Sequence, residues 1–329
     1  MNKPFRKRSL FVFVTVLVII TTVIYCGVRL GSAVFSNSRP EQEISTGTRK
    51  TITVDGIDYF PRQDITVVLA MGIDKEGKVE SSNSYNNDGE SDVISLLIFD
   101  DSNQTFTILN INRDSMVEMP VLGIGGKRAG TQVAQLALSH TYGSGLEDSC
   151  ENTRETVSKL LKGVNIDYYI AANMDAIGII NDVVGGVKVN VTDDFSLVDP
   201  TIHVGEVTLN GSQAMHFVRL RKGVGDQLNI SRMGRQQEYV EGFISAMSEK
   251  MKNDSSFPYD LYTAAEGYFV TDCSFNAFTG LFDDYAQYSL KEVITLKGEN
   301  KVGTKFMEFH LDQEFLEKTV LEVFYAPKQ

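Results

Sequence analysis

The sequence predicts an α/β layered domain carried behind one N-terminal membrane-spanning helix. Three observations lead there: a charge-free apolar run near the N-terminus, short runs of strand type, and helix-period segments placed between those runs. The chain's 329 residues suit one large domain or two small ones and can bury a substantial core. Charged residues at 22% and aromatics at 10% exclude a disordered chain. The net charge of −12 argues against a sequence-general nucleic-acid binder, which needs a basic face to release counterions from phosphates.

The run Leu10–Val28 holds 19 residues without a charge. At 1.5 Å per residue that is about 28 Å, close to the roughly 30 Å hydrocarbon core of a bilayer. Lys3, Arg6, Lys7 and Arg8 precede it, so the positive-inside rule keeps the N-terminus cytoplasmic and places the rest outside the cell membrane. A cleaved signal peptide is the rival reading. It calls for a shorter apolar region and a small-x-small site, for which Leu30-Gly31-Ser32-Ala33 is a poor match. The expected organisation is a cytoplasmic tip (1–9), a transmembrane signal anchor (10–30), a stalk with a short hairpin (31–61) and an extracytoplasmic domain (62–329). Beyond residue 30 there are 26 bases against 43 acids, so the outer part carries −17. In that oxidising setting Cys150 and Cys273 either pair, worth about 4–5 kcal/mol in the chain-entropy model, or stay as two buried thiols. Cys26 lies in the span, and three cysteines without CxxC spacing make a zinc site improbable.

In chain order, Thr51–Phe60 places Asp55-Gly56 between two alternating runs, a short hairpin signal. Asp64–Asp74 is nearly continuous apolar sequence and fits a buried central strand. Residues 75–91, rich in Gly, Ser, Asn and charge, read as a long mobile loop. Asp92–Asp100 and Thr105–Ile111 read as strands joined by an Asp-Ser-Asn-Gln turn. A helix is expected to about Lys162, with Asp148 or Ser149 as cap and Val157, Leu160 and Leu161 on its apolar face. Asp167–Asn173 reads as a strand, and a helix after it stops at Gly185-Gly186, before a strand at Val187–Val191. A short helix begins at Leu209-Asn210-Gly211 and a longer one spans Ile230 to about Lys252. One more strand (Glu292–Leu296) and a helix near Asp312–Phe324 complete the set.

The stretch Val218–Gln237 carries five bases (Arg219, Arg221, Lys222, Arg232, Arg235) and one acid, Asp226, inside an acidic body. If the chain is extended after Val218, Arg219 and Arg221 share a side. Arg232, Arg235 and Gln236 stand at i, i+3 and i+4 of the following helix, again one face. Converging guanidinium groups repel one another unless an anion sits among them, and Arg suits bidentate phosphate or carboxylate recognition. The competing reading is a solvated basic face that contributes little. Asp92 opens one strand and Asp114 follows the next, so hairpin neighbours would bring the two carboxylates together. A carboxylate pair of this kind suits Mg²⁺, which takes one or two carboxylates plus substrate phosphate oxygens; otherwise both are turn residues. Arg113 beside Asp114 is, on spacing alone, equally a surface ion pair. GxSxG, HExxH, Walker and GxGxxG patterns are absent. His140 has no paired nucleophile and reads as structural, and Ser144 lacks a strand-turn-helix setting.

Taken together, VVLAMGID (Val67–Asp74), SDVISLLIFD (Ser91–Asp100), ILNINRDS (Ile108–Ser115), AIGIINDVVGGVKVNV (Ala176–Val191), LNGSQAMHFVRLRKGVGD (Leu209–Asp226) and SRMGRQQEYV (Ser231–Val240) resemble the LytR–CpsA–Psr family of bacterial cell-envelope proteins. The resemblance covers the anchor and most of residues 62–329. It implies a layered α/β fold with a mostly antiparallel central sheet flanked by helices, enclosing an apolar pocket for a polyprenyl chain. It also implies a phosphotransferase that moves a glycopolymer from an undecaprenyl-diphosphate carrier onto peptidoglycan, with Mg²⁺ (Mn²⁺ as the alternative ion). By position it implies Asp92 and Asp114 as metal ligands, and Arg113, Arg219, Arg221, Arg232 and Arg235 as diphosphate ligands assisted by Gln236. Asp74 would orient nearby arginines. The expected partners are the lipid-linked glycopolymer, the peptidoglycan acceptor and membrane lipid, with no nucleic acid. The chain departs from the family at Glu90-Ser91-Asp92-Val93, where the family has Arg-Ser-Asp-Thr, and at Asn112, where it has Pro. Lys75, Lys127 and Arg128 are candidates to replace the missing base. The alternative is a non-catalytic envelope protein that binds polyprenyl phosphates without transferring them. Transcriptional control is disfavoured, since an outward-facing acidic body has no route to DNA.

Overall fold

The structure is a computed structural model that describes residues 51–327, apart from 55, 124–125, 221, 226–228, 255, 275–287 and 304–305. Within helices and strands, the side chains at 229, 230, 232, 233, 237, 240, 244, 248, 251, 252, 258 and 307 also fall outside the description. The expected membrane anchor and stalk (10–50) therefore lie outside the described residues. Among those described, no helix is long and apolar enough to cross a membrane.

The chain begins with β1 (Ile52–Val54) and β2 (Ile57–Pro61), the expected antiparallel hairpin. The apolar run forms β3 (Ile65–Ile73), and the next two form β4 (Ser91–Asp100) and β5 (Thr105–Ile111), antiparallel with Ile94 opposite Ile111. A second hairpin follows, β6 (Met116–Leu122) with β7 (Arg128–Gln135), and then a 3₁₀ turn at Leu136–Thr141. The first long helix, α1 (Glu147–Leu160), leads to β8 (Tyr168–Asn173), α2 (Ala176–Val183) and the antiparallel pair β9 (Val187–Val191) and β10 (Gly205–Leu209). Next come α3 (Gly211–Arg219), α4 (Asn229–Asn253), α5 (Phe257–Ala265) and β11 (Phe269–Thr271). The C-terminal part holds β12 (Ser289–Thr295), β13 (Gly298–Val302), β14 (Met307–Leu311), α6 (Gln313–Phe324) and β15 (Tyr325–Pro327). The largest sheet has strand order β11-β8-β3-β4-β5-β12. It is mixed: β4 and β5 are antiparallel, whereas β12 joins β5 in parallel.

The described chain divides into two compact units. Unit one takes residues 71–80 and 171–274; unit two takes 51–70, 81–170 and 288–327. In unit two Leu69, Leu96 and Leu109 are fully buried, and each contributes about 1.5–3 kcal/mol by leaving water. These strands are apolar on both faces, which is why β4 reads as a continuous run rather than an alternation. In unit one the core is aromatic. Phe195 stacks on Phe217 with ring centroids 5.8 Å apart, and Tyr239 lies 6.2 Å from Phe243. Tyr239 donates to Asn181 Oδ1 at 3.1 Å, and burial pushes its phenol pKa well up, so it stays a neutral donor.

Helix α3 carries Arg219 at its last turn, and two features fix where it starts. Asn210 Oδ1 accepts from the Gln213 backbone N–H at 3.0 Å while Gln213 Oε1 accepts from Asn210 N at 2.9 Å, a complete capping box. Gly211 lies against α2 so closely that a Cβ would sit 2.5 Å from the Gly178 carbonyl oxygen. Only glycine allows that approach.

Several expectations change. The loop at 75–91 is irregular, yet its second part is pinned: Ser82 N donates to Ser144 O at 2.7 Å and Asn87 N to Thr141 O at 2.8 Å. Asp148 and Ser149 are not the caps of α1, since they lie inside its first turn after Leu146. There they close the preceding loop instead, Asp148 accepting from Ser144 N at 2.9 Å and Ser149 donating to Tyr142 O at 2.7 Å. The chain is still helical at Arg219, so the strand-like alternation expected after Val218 does not apply to it. The hairpins β6–β7 and β13–β14, strand β10 and helix α5 add to the elements read from sequence. Cys150 and Cys273 are both buried thiols that form no disulfide with each other, and burial pushes Cys273 up to about 12.

Two outcomes test these contacts. Asn210→Ala removes the cap acceptor of α3 and should cost about 1 kcal/mol in a denaturant melt with unchanged slope. The Asp64 carboxyl is held at about 2, mainly by the hydrogen bond from Arg62 against an opposing burial effect. Its folded pKa lies below the unfolded value of about 3.9, so its contribution is fully present above about pH 4 and is lost as pH falls towards 2. Melting temperature against pH should fall less steeply in that window for Asp64→Asn; parallel curves would contradict the assignment.

Candidate functional site

The sequence-predicted residues fall into two arginine-centred clusters, one in each unit. In unit two, Arg113 stands in the turn that ends β5. Asn112 Oδ1 accepts from Asp114 N at 2.9 Å and its carbonyl from Ser115 N at 3.0 Å, the Asx geometry that a short polar side chain makes when the chain reverses. The turn is then tied from both flanks. Ala137 N donates to Arg113 O at 2.9 Å, Leu136 N to Ser115 O at 2.8 Å, and Phe309 N to Asp114 O at 2.9 Å. The backbone under the guanidinium is thus fixed by neighbours on the 3₁₀ turn and β14.

Three carboxylates surround this guanidinium. Arg113 Nη2 donates to Glu90, Nη1 meets Asp92, and Nε lies 3.6 Å from Asp114 Oδ1. Asp114 Oδ1 also accepts from Gln135 Nε2 at 3.0 Å. The expected meeting of Asp92 and Asp114 is therefore real, and a shared cation joins them. The segment bearing Glu90 and Asp92 is held from below by a buried polar clamp. Gly89 N donates to Asn87 Oδ1 at 2.7 Å, and the Gly89 carbonyl accepts from His140 Nδ1 at 2.9 Å. A carbonyl only accepts, so the proton of His140 sits on Nδ1. Asn87 Nδ2 also donates to His140 O at 2.7 Å and to Ser149 Oγ at 3.1 Å. His140 is buried with Nδ1 on the Gly89 carbonyl and Nε2 3.8 Å from Cys150 Sγ, and the clamp around Asn87 is the part that sequence reading missed. A lone Asn in a polar loop carries no periodicity that would betray burial. Gln135, at the end of β7, was also missed, and Glu90 was noted only as a departure from the family arginine, not as a partner of Arg113. Of the suggested replacement bases, Arg128 pairs with Glu155 at 3.0 Å.

Mg²⁺ fits this donor set. Asp92 and Asp114 already share one cationic centre. Among the described residues no group of three or more His, Cys, Asp or Glu is arranged to hold a metal by itself. Two carboxylates are what Mg²⁺ typically takes, with substrate phosphate and water completing its shell.

In unit one, Arg219 closes α3, half-buried, and its Nη1 lies 3.2 Å from Glu76 Oε1. Arg235 and Gln236 share a face of α4 as the spacing predicts, but that face is turned inward: Arg235 is 4% exposed and Gln236 fully buried. The last carbonyls of a helix lack intrahelical partners, and these two side chains supply them. Arg235 Nε donates to Phe217 O at 2.8 Å and its Nη2 to Leu220 O, while Gln236 Nε2 donates to Val218 O at 3.0 Å. Asp193 balances the buried guanidinium, which also lies 5.3 Å above the Phe195 ring. Arg235 and Gln236 thus hold the chain on either side of Arg219. Asp74, just past β3, is exposed. Arg221 and the side chain of Arg232 lie outside the described residues.

Comparison with known proteins places this architecture. The polyisoprenyl-teichoic acid–peptidoglycan teichoic acid transferase TagU of Enterococcus faecalis is 25% identical over 308 residues, covering 92% of this chain and 90% of that protein. TagU of Bacillus subtilis is 26% identical over 226 residues, 68% of this chain but 65% of its own length. The crystal structure of B. subtilis TagT superposes with a TM-score of 0.52 at 25% identity, covering 79% of this chain and 90% of that one. The family model described as LytR_cpsA_psr matches residues 32–323, nearly the whole described chain, and the protein belongs to that family.

Proposed function

We propose that this protein is a membrane-anchored glycopolymer transferase that moves an anionic glycopolymer, teichoic acid being the nearest model, from an undecaprenyl-diphosphate carrier onto peptidoglycan. Family membership supports the transferase class, and the TagU relatives, teichoic acid transferases from a polyisoprenyl-linked donor to peptidoglycan, support the kind of donor and acceptor. The observation that carries the reading is the arrangement at Arg113: a guanidinium on a turn tied from both flanks, with Asp92, Asp114 and Glu90 around it. Residues 10–30 anchor the chain, with the N-terminus cytoplasmic and the body outside.

The reaction needs an acceptor hydroxyl to attack the sugar-linked phosphorus of the diphosphate. The bond to the bridging oxygen breaks, the lipid leaves as its monophosphate, and the hydroxyl proton passes to a base or water. Negative charge on the phosphate oxygens is what the protein must stabilise, and preorganised cations are the usual means. Arg113 supplies a fork that matches two phosphate oxygens. Asp92 and Asp114 would hold Mg²⁺ (or Mn²⁺), which would supply neutralisation of phosphate charge when bound. On the family resemblance alone, Arg219, Arg221 and Arg232 would serve as further diphosphate ligands. Arg235 and Gln236 act through Arg219, because they satisfy the carbonyls that flank it.

A purified full chain in detergent, given a lipid-diphosphate-linked glycan, Mg²⁺ and peptidoglycan, should form a covalent glycan–peptidoglycan product. Arg219→Ala and Asp92→Ala should each reduce the rate by about a hundredfold or more, the usual cost of removing one charge stabiliser. Unchanged turnover in both variants would sink the assignment.

A further inference from the structure

Arg113 offers three nitrogens, and each faces a carboxylate: Glu90 at Nη2, Asp92 at Nη1 and Asp114 at Nε. Three negative groups around one positive group leave the cluster formally at −2. Each nitrogen already faces a carboxylate, so an incoming phosphate meets a repelling field and competes with a carboxylate for either bidentate edge of the guanidinium. Bidentate binding at an edge therefore displaces one carboxylate.

The three are not equally held. Asp92 sits within β4 and its side chain is 21% exposed. Asp114 carries a second bond, from Gln135, which fixes its Oδ1. Glu90 differs on every count. Its side chain is the most exposed of the three at 41%, it is the longest, and its recorded bond among the described residues runs to Arg113. Its backbone, in contrast, is anchored through Gly89 to Asn87 and His140. The carboxylate can therefore swing away on its own torsions while β4 and Asp92 stay in place.

We propose that Glu90 is a gate on Arg113: a displaceable counter-ion that a diphosphate must replace and that returns when phosphate leaves. Glu90 is the exposed end of the pair, so its carboxylate regains water when it swings out, and Asp92 and Asp114 still balance the guanidinium. It favours groups bearing more negative charge than the carboxylate they displace. A diphosphate donor meets that condition better than the lipid monophosphate left after transfer. Glu90 thus lowers affinity for the product as well as for adventitious phosphate, and it acts as a specificity residue rather than a catalytic one. The inference rests on the reading of Arg113 as a diphosphate ligand.

The test is calorimetric titration of the full chain in detergent with inorganic pyrophosphate and Mg²⁺, for the native protein, Glu90→Gln, Arg113→Ala and the double variant. Glu90→Gln should bind pyrophosphate about fivefold tighter, and the gain should vanish when Arg113 is also replaced. A merely structural role for Glu90 would produce a loss, not a gain. Equal or weaker binding by Glu90→Gln, or the same gain with Arg113 absent, overturns the gate. If Arg113→Ala alone binds as well as the native protein, the diphosphate role of Arg113 fails, and the gate fails with it. If Arg113→Ala loses binding while Glu90→Gln gains none, only the gate fails.

Discussion

A guanidinium removed from bulk water has to be paired, and both clusters are organised around that requirement. It cannot give up its proton at any accessible pH, so burial forces oxygen partners into fixed places. In unit one Arg235 meets the demand with two backbone carbonyls and Asp193. In unit two Arg113 meets it, among the described residues, with carboxylates. The difference decides their roles. Backbone carbonyls do not move, so Arg235 is a fixed strut. Side-chain carboxylates can exchange for other anions, so Arg113 remains able to receive one.

Around these two arginines the local chemistry is consistent from level to level. The capping box at Asn210 and the glycine contact between α2 and α3 set where α3 begins. Arg235 and Gln236 close its other end, and Arg219 is delivered at the last turn. In unit two the Asx turn at Asn112 sets the backbone of Arg113, and the clamp of Asn87 and His140 sets Glu90. Asn112, where the resemblance would have proline, keeps the turn by hydrogen bonding rather than by a fixed φ.

Elements with a strong period or apolar run were legible in the sequence. The strand at Ile65–Ile73, the hairpin pair β4–β5, the glycine stop after α2 and the long helix α4 all fall within a few residues of their expected bounds. The β6–β7 hairpin was not, because Met116–Leu122 includes Glu118 and Pro120 and Arg128–Gln135 is polar and mostly exposed. At the site, the helical spacing of Arg235 and Gln236 was read correctly, but which way that face turns depends on the unpaired carbonyls of α3, a tertiary fact. The pairing of Asp92 with Asp114 followed from hairpin logic. Its mediator, Arg113, and the competing Glu90 did not, since Glu90 is far from Arg113 in sequence.

The most direct test of the account is a structure of the full chain with a polyisoprenyl diphosphate bound. The account predicts phosphate oxygens within hydrogen-bond distance of the Arg113 guanidinium, with the Glu90 carboxylate turned away and Asp92 still in place. A diphosphate bound elsewhere, with Arg113 still enclosed by Glu90, Asp92 and Asp114, would contradict it.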